Sequence, residues 1–223
     1  DALRCAGRFW ESEAAFRTAE EIQNSCEETS GRTLSDTDNY RFCELLLDEA
    51  EMVAQGWVQR SERSLTPWQD TEADPVIHRL REVRERTRRL KKTLADSDHR
   101  SLHACVFNLT MGRSYLIEAE YRYRQLRQQT EGADSKSGSR IEGAGRAAPE
   151  LLKKADSELK TAIDLLRDEA HQTYLLRGLL MRASAFRLHT LIGAPTAKLF
   201  RQASTLLEEV SDIAVRGDMR MFE

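Results

Sequence analysis

The chain has 223 residues, 40% hydrophobic and 32% charged, with a net charge of −3 at pH 7. This is the balance of a folded chain with a sizeable core, not of a disordered one, and the small net charge argues for neither a nucleic-acid binder nor an acidic tail. No stretch approaches the run of about 18 apolar residues that a membrane span needs, and Asp1-Ala2-Leu3-Arg4 does not begin a signal peptide. A cytoplasmic protein is expected.

The composition favours helix. Ala, Leu, Glu, Arg and Lys abound, and Val, Ile and Thr runs of strand length are absent. After a corner at Gly7, the apolar or small residues Phe9, Ala15, Phe16, Ala19 and Ile22 mark a first helical face. Ser30-Gly31-Arg32 breaks the chain, and a second helix carries Tyr40, Phe42, Cys43, Leu46, Leu47, Ala50 and Val53. Trp57, Val58, Ser61 and Leu65 suggest a short helix ending before Pro67.

Asp74-Pro75 reads as a cap followed by proline at the first helical position, and it opens a segment with Ile77, Leu80, Val83, Leu90 and Leu94 on one stripe. The next helix, capped by Ser97 or Asp98, is expected to be the longest and to run to about Gln129, with Leu102, Cys105, Val106, Leu109, Met111, Tyr115, Leu116 and Ala119 inward. From 131 to 148 the chain holds four glycines, three serines and one isolated isoleucine, which predicts a mobile Gly/Ser-rich loop. Pro149 restarts helix, with faces at Leu151 to Leu166 and then Tyr174 to Leu191, ending at Gly193. After Pro195 a last helix carries Leu199, Phe200, Ala203, Leu206, Leu207, Val210 and Ile213, and Gly217 closes it.

Eight or nine amphipathic helices with short connectors favour a bundle or a solenoid. Gly7, Phe9, Phe16 and Ala19 resemble the tetratricopeptide (TPR) corner, where glycine turns the chain, an aromatic plugs the corner and a small residue admits a close crossing. Asn108, Met111, Gly112 and Tyr115 match the first-helix part of the same pattern, and Gly193 marks a further corner. The expected fold is therefore all-α: a right-handed solenoid of irregular TPR-like antiparallel helix pairs, with repeats over 1–130, the loop at 131–148, and continuous repeats over 149–223.

The runs Tyr40-Arg41-Phe42-Cys43-Glu44-Leu45-Leu46-Leu47, Asn108 to Arg113 and Leu176-Arg177-Gly178-Leu179-Leu180-Met181-Arg182-Ala183, completed by Ile213 to Arg220, resemble the repeats C-terminal to the NTPase of bacterial NACHT-type signalling ATPases. The segment 75–96, the Gly/Ser-rich stretch and the long corner at 193–205 depart from that pattern. The resemblance implies a sensor or protein-interaction arm whose ATPase motor lies elsewhere. Opening at a repeat corner and stopping at Phe222-Glu223, where the pattern would begin another helix, the sequence reads as a piece of a longer protein.

The chain has no G-x-x-x-x-G-K-[ST] loop and no G-x-S-x-G elbow, so neither nucleotide hydrolysis nor a hydrolase reaction is expected. His99 and His103 are spaced for one helical face, but Cys105 falls about 200° round from His103, and a polar helix start is favoured over a metal. Cys5, Cys26, Cys43 and Cys105 form no C-x-x-C pair and read as reduced, mostly buried thiols. No catalytic residue, metal or cofactor is assigned.

Between Arg79 and Lys92 lie eight basic residues against two acids. The plain reading is a solvated face with Glu82 and Glu85 pairing Arg86 and Arg89. The functional reading is a docking surface for protein made of Arg81, Arg84, Arg88 and Lys91, joined by Trp68 beside Pro67 and by Tyr121 and Tyr123 facing a groove. Nucleic acid on the 79–92 helix is the rival, although no aromatics interleave the charges for base stacking.

Overall fold

The computed structural model describes residues 2–25, 36–55, 74–93, 100–132, 138–169, 171–193 and 196–216. Among these the chain is all-helical, with no strand: α1 (Ala2–Cys5), α2 (Phe9–Ser25), α3 (Asp36–Ala54), α4 (Pro75–Thr93), α5 (Arg100–Gly132), α6 (Gly138–Glu169), α7 (Gln172–Ile192) and α8 (Ala197–Arg216). No described helix is long and apolar enough to cross a membrane. The chain divides into two compact units, Asp1–Thr93 and Leu94–Glu223.

In the first unit Gly7, at φ +72°, makes the left-handed turn between α1 and α2 that a side chain would strain. The inner helix is α3, where every residue from Phe42 to Leu47 is buried, and it packs on both α2 and α4. Asp74 caps α4 by accepting the Val76 N–H at 3.0 Å on its carboxylate, and Pro75 occupies the first turn, where its missing N–H leaves no bond unmade.

In the second unit α5 and α6 run antiparallel: Cys105 and Leu109 cluster with Leu159, Ile163 and Leu166, while Met111, Tyr115 and Ala119 cluster with Leu151, Leu152 and Ala155. Helix α7 lies antiparallel to α6 and parallel to α5, placing Leu175, Leu179 and Ala183 in the first cluster and Ala185 and Leu188 in the second. Helix α8 packs on α7 and inserts Leu206. Two glycines sit at the crossings. A Cβ on Gly112 would stand 2.6 Å from Leu159 Cγ, and one on Gly178 would stand 3.1 Å from Leu109 and 3.2 Å from Ile163.

The expectation of a loop over 131–148 is corrected at its described residues, 131–132 and 138–148. Helix α5 continues to Gly132 and α6 already begins at Gly138, with Pro149 inside it rather than at its start. Once 150–169 is helical, each residue added upstream gains one backbone bond without a new nucleus, and the buried Ala148 packs as it does so. Pro149 removes the amide that would bond the Gly145 carbonyl and sets its ring against that carbonyl. The short helix expected around 57–65 lies outside the described residues.

Candidate interaction surfaces

At about 100° per residue, the buried positions Val76, Ile77, Leu80, Val83, Thr87 and Leu90 span an arc of about 140° on α4. That arc is wide enough to take in arginines at its edges. Arg79 (3% exposed) and Arg84 (8%) are buried, and the Arg86 side chain is 11% exposed. The expectation of a basic stripe turned to solvent, with Arg84 in a docking face, is thereby corrected: the aliphatic stems join the core. The exposed basic residues are Arg81, Arg88, Arg89, Lys91 and Lys92.

The inward arginines meet carboxylates from α2 and α3. Arg79 Nη1 donates to Glu13 at 2.9 Å and lies 2.8 Å from Glu49 Oε2, an oxygen that accepts no hydrogen bond. Burial pushes the Glu49 carboxyl up to about 7, with the Arg79 charge opposing and the Glu13 charge adding to the rise. Arg86 donates to Glu20 at 2.9 Å, Glu82 at 2.9 Å and Asn39 at 3.2 Å, while Arg17 grips Glu82 with both terminal nitrogens at 2.8 and 2.9 Å. Burial would raise the Glu82 carboxyl, but the hydrogen bonds and charges of Arg17 and Arg86 outweigh it and hold it below the ordinary value. The pairing of Glu82 with Arg86 and of Glu85 with Arg89 is present.

A shallow cavity of about 330 Å³ lies against this network, lined by Glu20, Asn24, Asn39, Glu82, Glu85, Arg86 and Arg89. Its arginines are already held by carboxylates of the unit, so it offers little uncommitted charge to a ligand.

The remaining nominated residues separate. Trp68 and His99 lie outside the described residues. Phe16 is half-buried and stacks on Phe42 with ring centroids 5.0 Å apart, and Phe9 is half-buried, but Ala19 is exposed. Tyr115 is buried, and the Gly193 N–H closes α7 onto the His189 carbonyl at 3.0 Å. Tyr121 is buried at 8% exposure, because residue 121 continues the inner face of α5; this corrects the expectation that it faces a groove. Tyr123 does line a cavity, of about 410 Å³, with Glu120, Arg124, Arg127, Gln128, Arg187, Leu188 and Leu191. Cys105 is fully buried and His103 half-buried, 6.3 Å from the Phe107 ring; no three His, Cys, Asp or Glu among the described residues are placed to hold a metal.

Sequence reasoning missed a second feature of this unit. Leu180, Ala183, Phe186 and Arg187 of α7 face Leu199, Phe200, Ala203 and Leu207 of α8 across a cavity of about 380 Å³. Phe200 and Leu207 were counted with Leu199 and Leu206 as one core face, whereas Leu206 alone in α8 is buried. The signal was the width of the apolar arc, which exceeds what one neighbouring helix covers.

No family model matches the chain, and no curated protein or solved structure matches it either.

Proposed function

We propose that the chain is a non-catalytic protein-docking or sensor module, a right-handed stack of TPR-like helix pairs comparable to the repeats beside the motor of bacterial NACHT-type signalling ATPases. The observation that carries this reading is the seat of α7, parallel to α5, antiparallel to α6 and packed on both, with Gly112 and Gly178 at the close approaches. Shared packing of this kind is what the reading expects where one repeat pair meets the next. A rigid helical surface holds side chains ready for a partner at little ordering cost, and no reacting group is needed.

Basic side chains on α4 keep nucleic acid as the rival. Arg79 and Arg86, however, are engaged by Glu13, Glu20 and Glu82, which lowers the charge left for phosphates. Affinity capture from native cell lysate, with and without nuclease and washed at low and high salt, separates the two. A defined protein retained at high salt after nuclease, and lost on reversing Arg81, Arg88 and Lys91 to glutamate, supports docking through α4. Nucleic acid alone, released as salt rises, supports the rival.

A further inference from the structure

We propose that the trough between α7 and α8 receives an acidic amphipathic α-helix of a partner protein, apolar side chains on Leu180, Phe200 and Leu207 and a carboxylate on Arg187. This rests on the reading of the chain as a docking module and gives that reading a place and a ligand chemistry.

The trough is built from two facing stripes. On α7, Leu180, Ala183 and Arg187 are spaced i, i+3, i+7; on α8, Phe200, Ala203 and Leu207 repeat that spacing. Leu180 is 43% exposed, Leu207 50% and Phe200 58%, so three large apolar side chains remain half in water around one concavity. Helix α7 itself shows what such a trough accepts, since it lies against α6 and α5 together. The α7–α8 pair offers the same kind of seat to a further helix, which is the helix-in-groove mode of recognition.

Charge selects the helix. Among the described residues no carboxylate lines the trough, and Arg187 is its single charged residue. Arg187 makes no ion pair with a described residue. It also lines the neighbouring cavity, at the α7 end of the trough. The trough therefore runs from an apolar floor to the guanidinium of Arg187. A helix with leucines on one face and glutamates along its edge satisfies both, whereas a phosphate backbone would leave the apolar floor in water.

The test uses the full chain and two labelled peptides of about 20 residues, long enough to be helical. Both carry leucine at i, i+3, i+4 and i+7; one is flanked by glutamate, the other by lysine. Fluorescence anisotropy is expected to show the glutamate peptide bound at least about tenfold more tightly, Arg187→Glu inverting the preference, and Phe200→Glu with Leu207→Glu abolishing binding at unchanged circular dichroism and melting temperature. Equal affinity for the two peptides, no binding, or indifference to Arg187→Glu overturns the proposal. A dimer in sedimentation that Phe200→Glu dissolves also overturns it, by giving the trough to a second copy. Lysate capture separates this failure from that of the docking reading: if no peptide binds while a defined protein is still captured, only the trough assignment falls.

Discussion

The guanidinium carbon of Arg86 lies 4.5 Å from the centroid of the Phe42 ring, with that of Arg17 5.0 Å from the same centroid. Phe42 is fully buried and stacked on Phe16, so the ring carries cations as well as filling the core. The carboxylates of Glu20 and Glu82 then hold Arg86 in place. Arg86→Met takes the guanidinium from Glu20 and leaves Glu82 to Arg17, and should cost about 2–4 kcal/mol. Arg88→Met, on the exposed side of the same helix, should stay within about 0.5 kcal/mol. Urea unfolding of the two variants beside the parent chain checks this, and equal midpoints would mean that the network adds nothing to stability.

Glu49 gives the first unit a pH dependence of definite sign. Its carboxyl is raised to about 7 by burial, with Arg79 opposing and Glu13 adding. Between the ordinary carboxyl value and 7, the folded state holds a proton that the unfolded chain has lost, so the stabilisation present at low pH disappears as pH rises. At 1.36 kcal/mol per unit this amounts to at most about 3.5 kcal/mol. Glu49→Gln lacks the titrating group. The stability of the parent chain minus that of Glu49→Gln should therefore fall between pH 4.5 and 7.5. A flat difference would show that Arg79 keeps Glu49 ionised throughout.

The helices were legible because burial repeats along each of them. Asp74-Pro75 announced α4, and the apolar spacing of Phe42 to Val53 announced α3, since both signals act within a few residues. The ion network was not legible: Glu13 and Arg79 are 66 residues apart, and charge counting along α4 alone read its arginines as solvated. Gly and Ser propensity misled at 138–148, where continuity with a well-packed helix outweighed local preference. The α7–α8 trough was hidden for a similar reason. Phe200 and Leu206 look alike in sequence, and only the packing of α8 on α7 decides that Leu206 is buried and Phe200 left open.

The close approach of α5 and α6 predicts a steric cost at Gly112. Alanine would gain up to about 1 kcal/mol of helix propensity, but its Cβ would stand 2.6 Å from Cγ and 2.8 Å from Cδ2 of the fully buried Leu159. Overpacking of this kind costs about 1–3 kcal/mol, so Gly112→Ala should destabilise. Leu159→Ala alone should cost about 2–5 kcal/mol. The double variant should be more stable than the two losses added together, because each change relieves the other. Gly178→Ala, whose nearest neighbours would stand at 3.1 and 3.2 Å, should change stability by less than about 1 kcal/mol. Strict additivity of Gly112→Ala and Leu159→Ala in a thermal or urea series would remove the clash as the explanation.

The thiols report on the first unit without any spectroscopic label. Cys5 is exposed, whereas Cys43 is 1% exposed and its thiol is pushed up to about 12 by burial, with the nearby Arg86 charge pulling the other way. Only a thiolate attacks an alkylating reagent, so Cys43 is protected twice, by access and by its missing charge. Iodoacetamide at pH 8, resolved peptide by peptide, should modify Cys5 in the native protein and Cys43 only once urea opens α3. Arg86→Met should bring Cys43 modification to lower urea, because it removes the clamp over Phe42 one residue away. Rapid modification of Cys43 in native buffer would instead show that α3 opens readily, and the packing of Phe42 would have to be weaker than its burial implies.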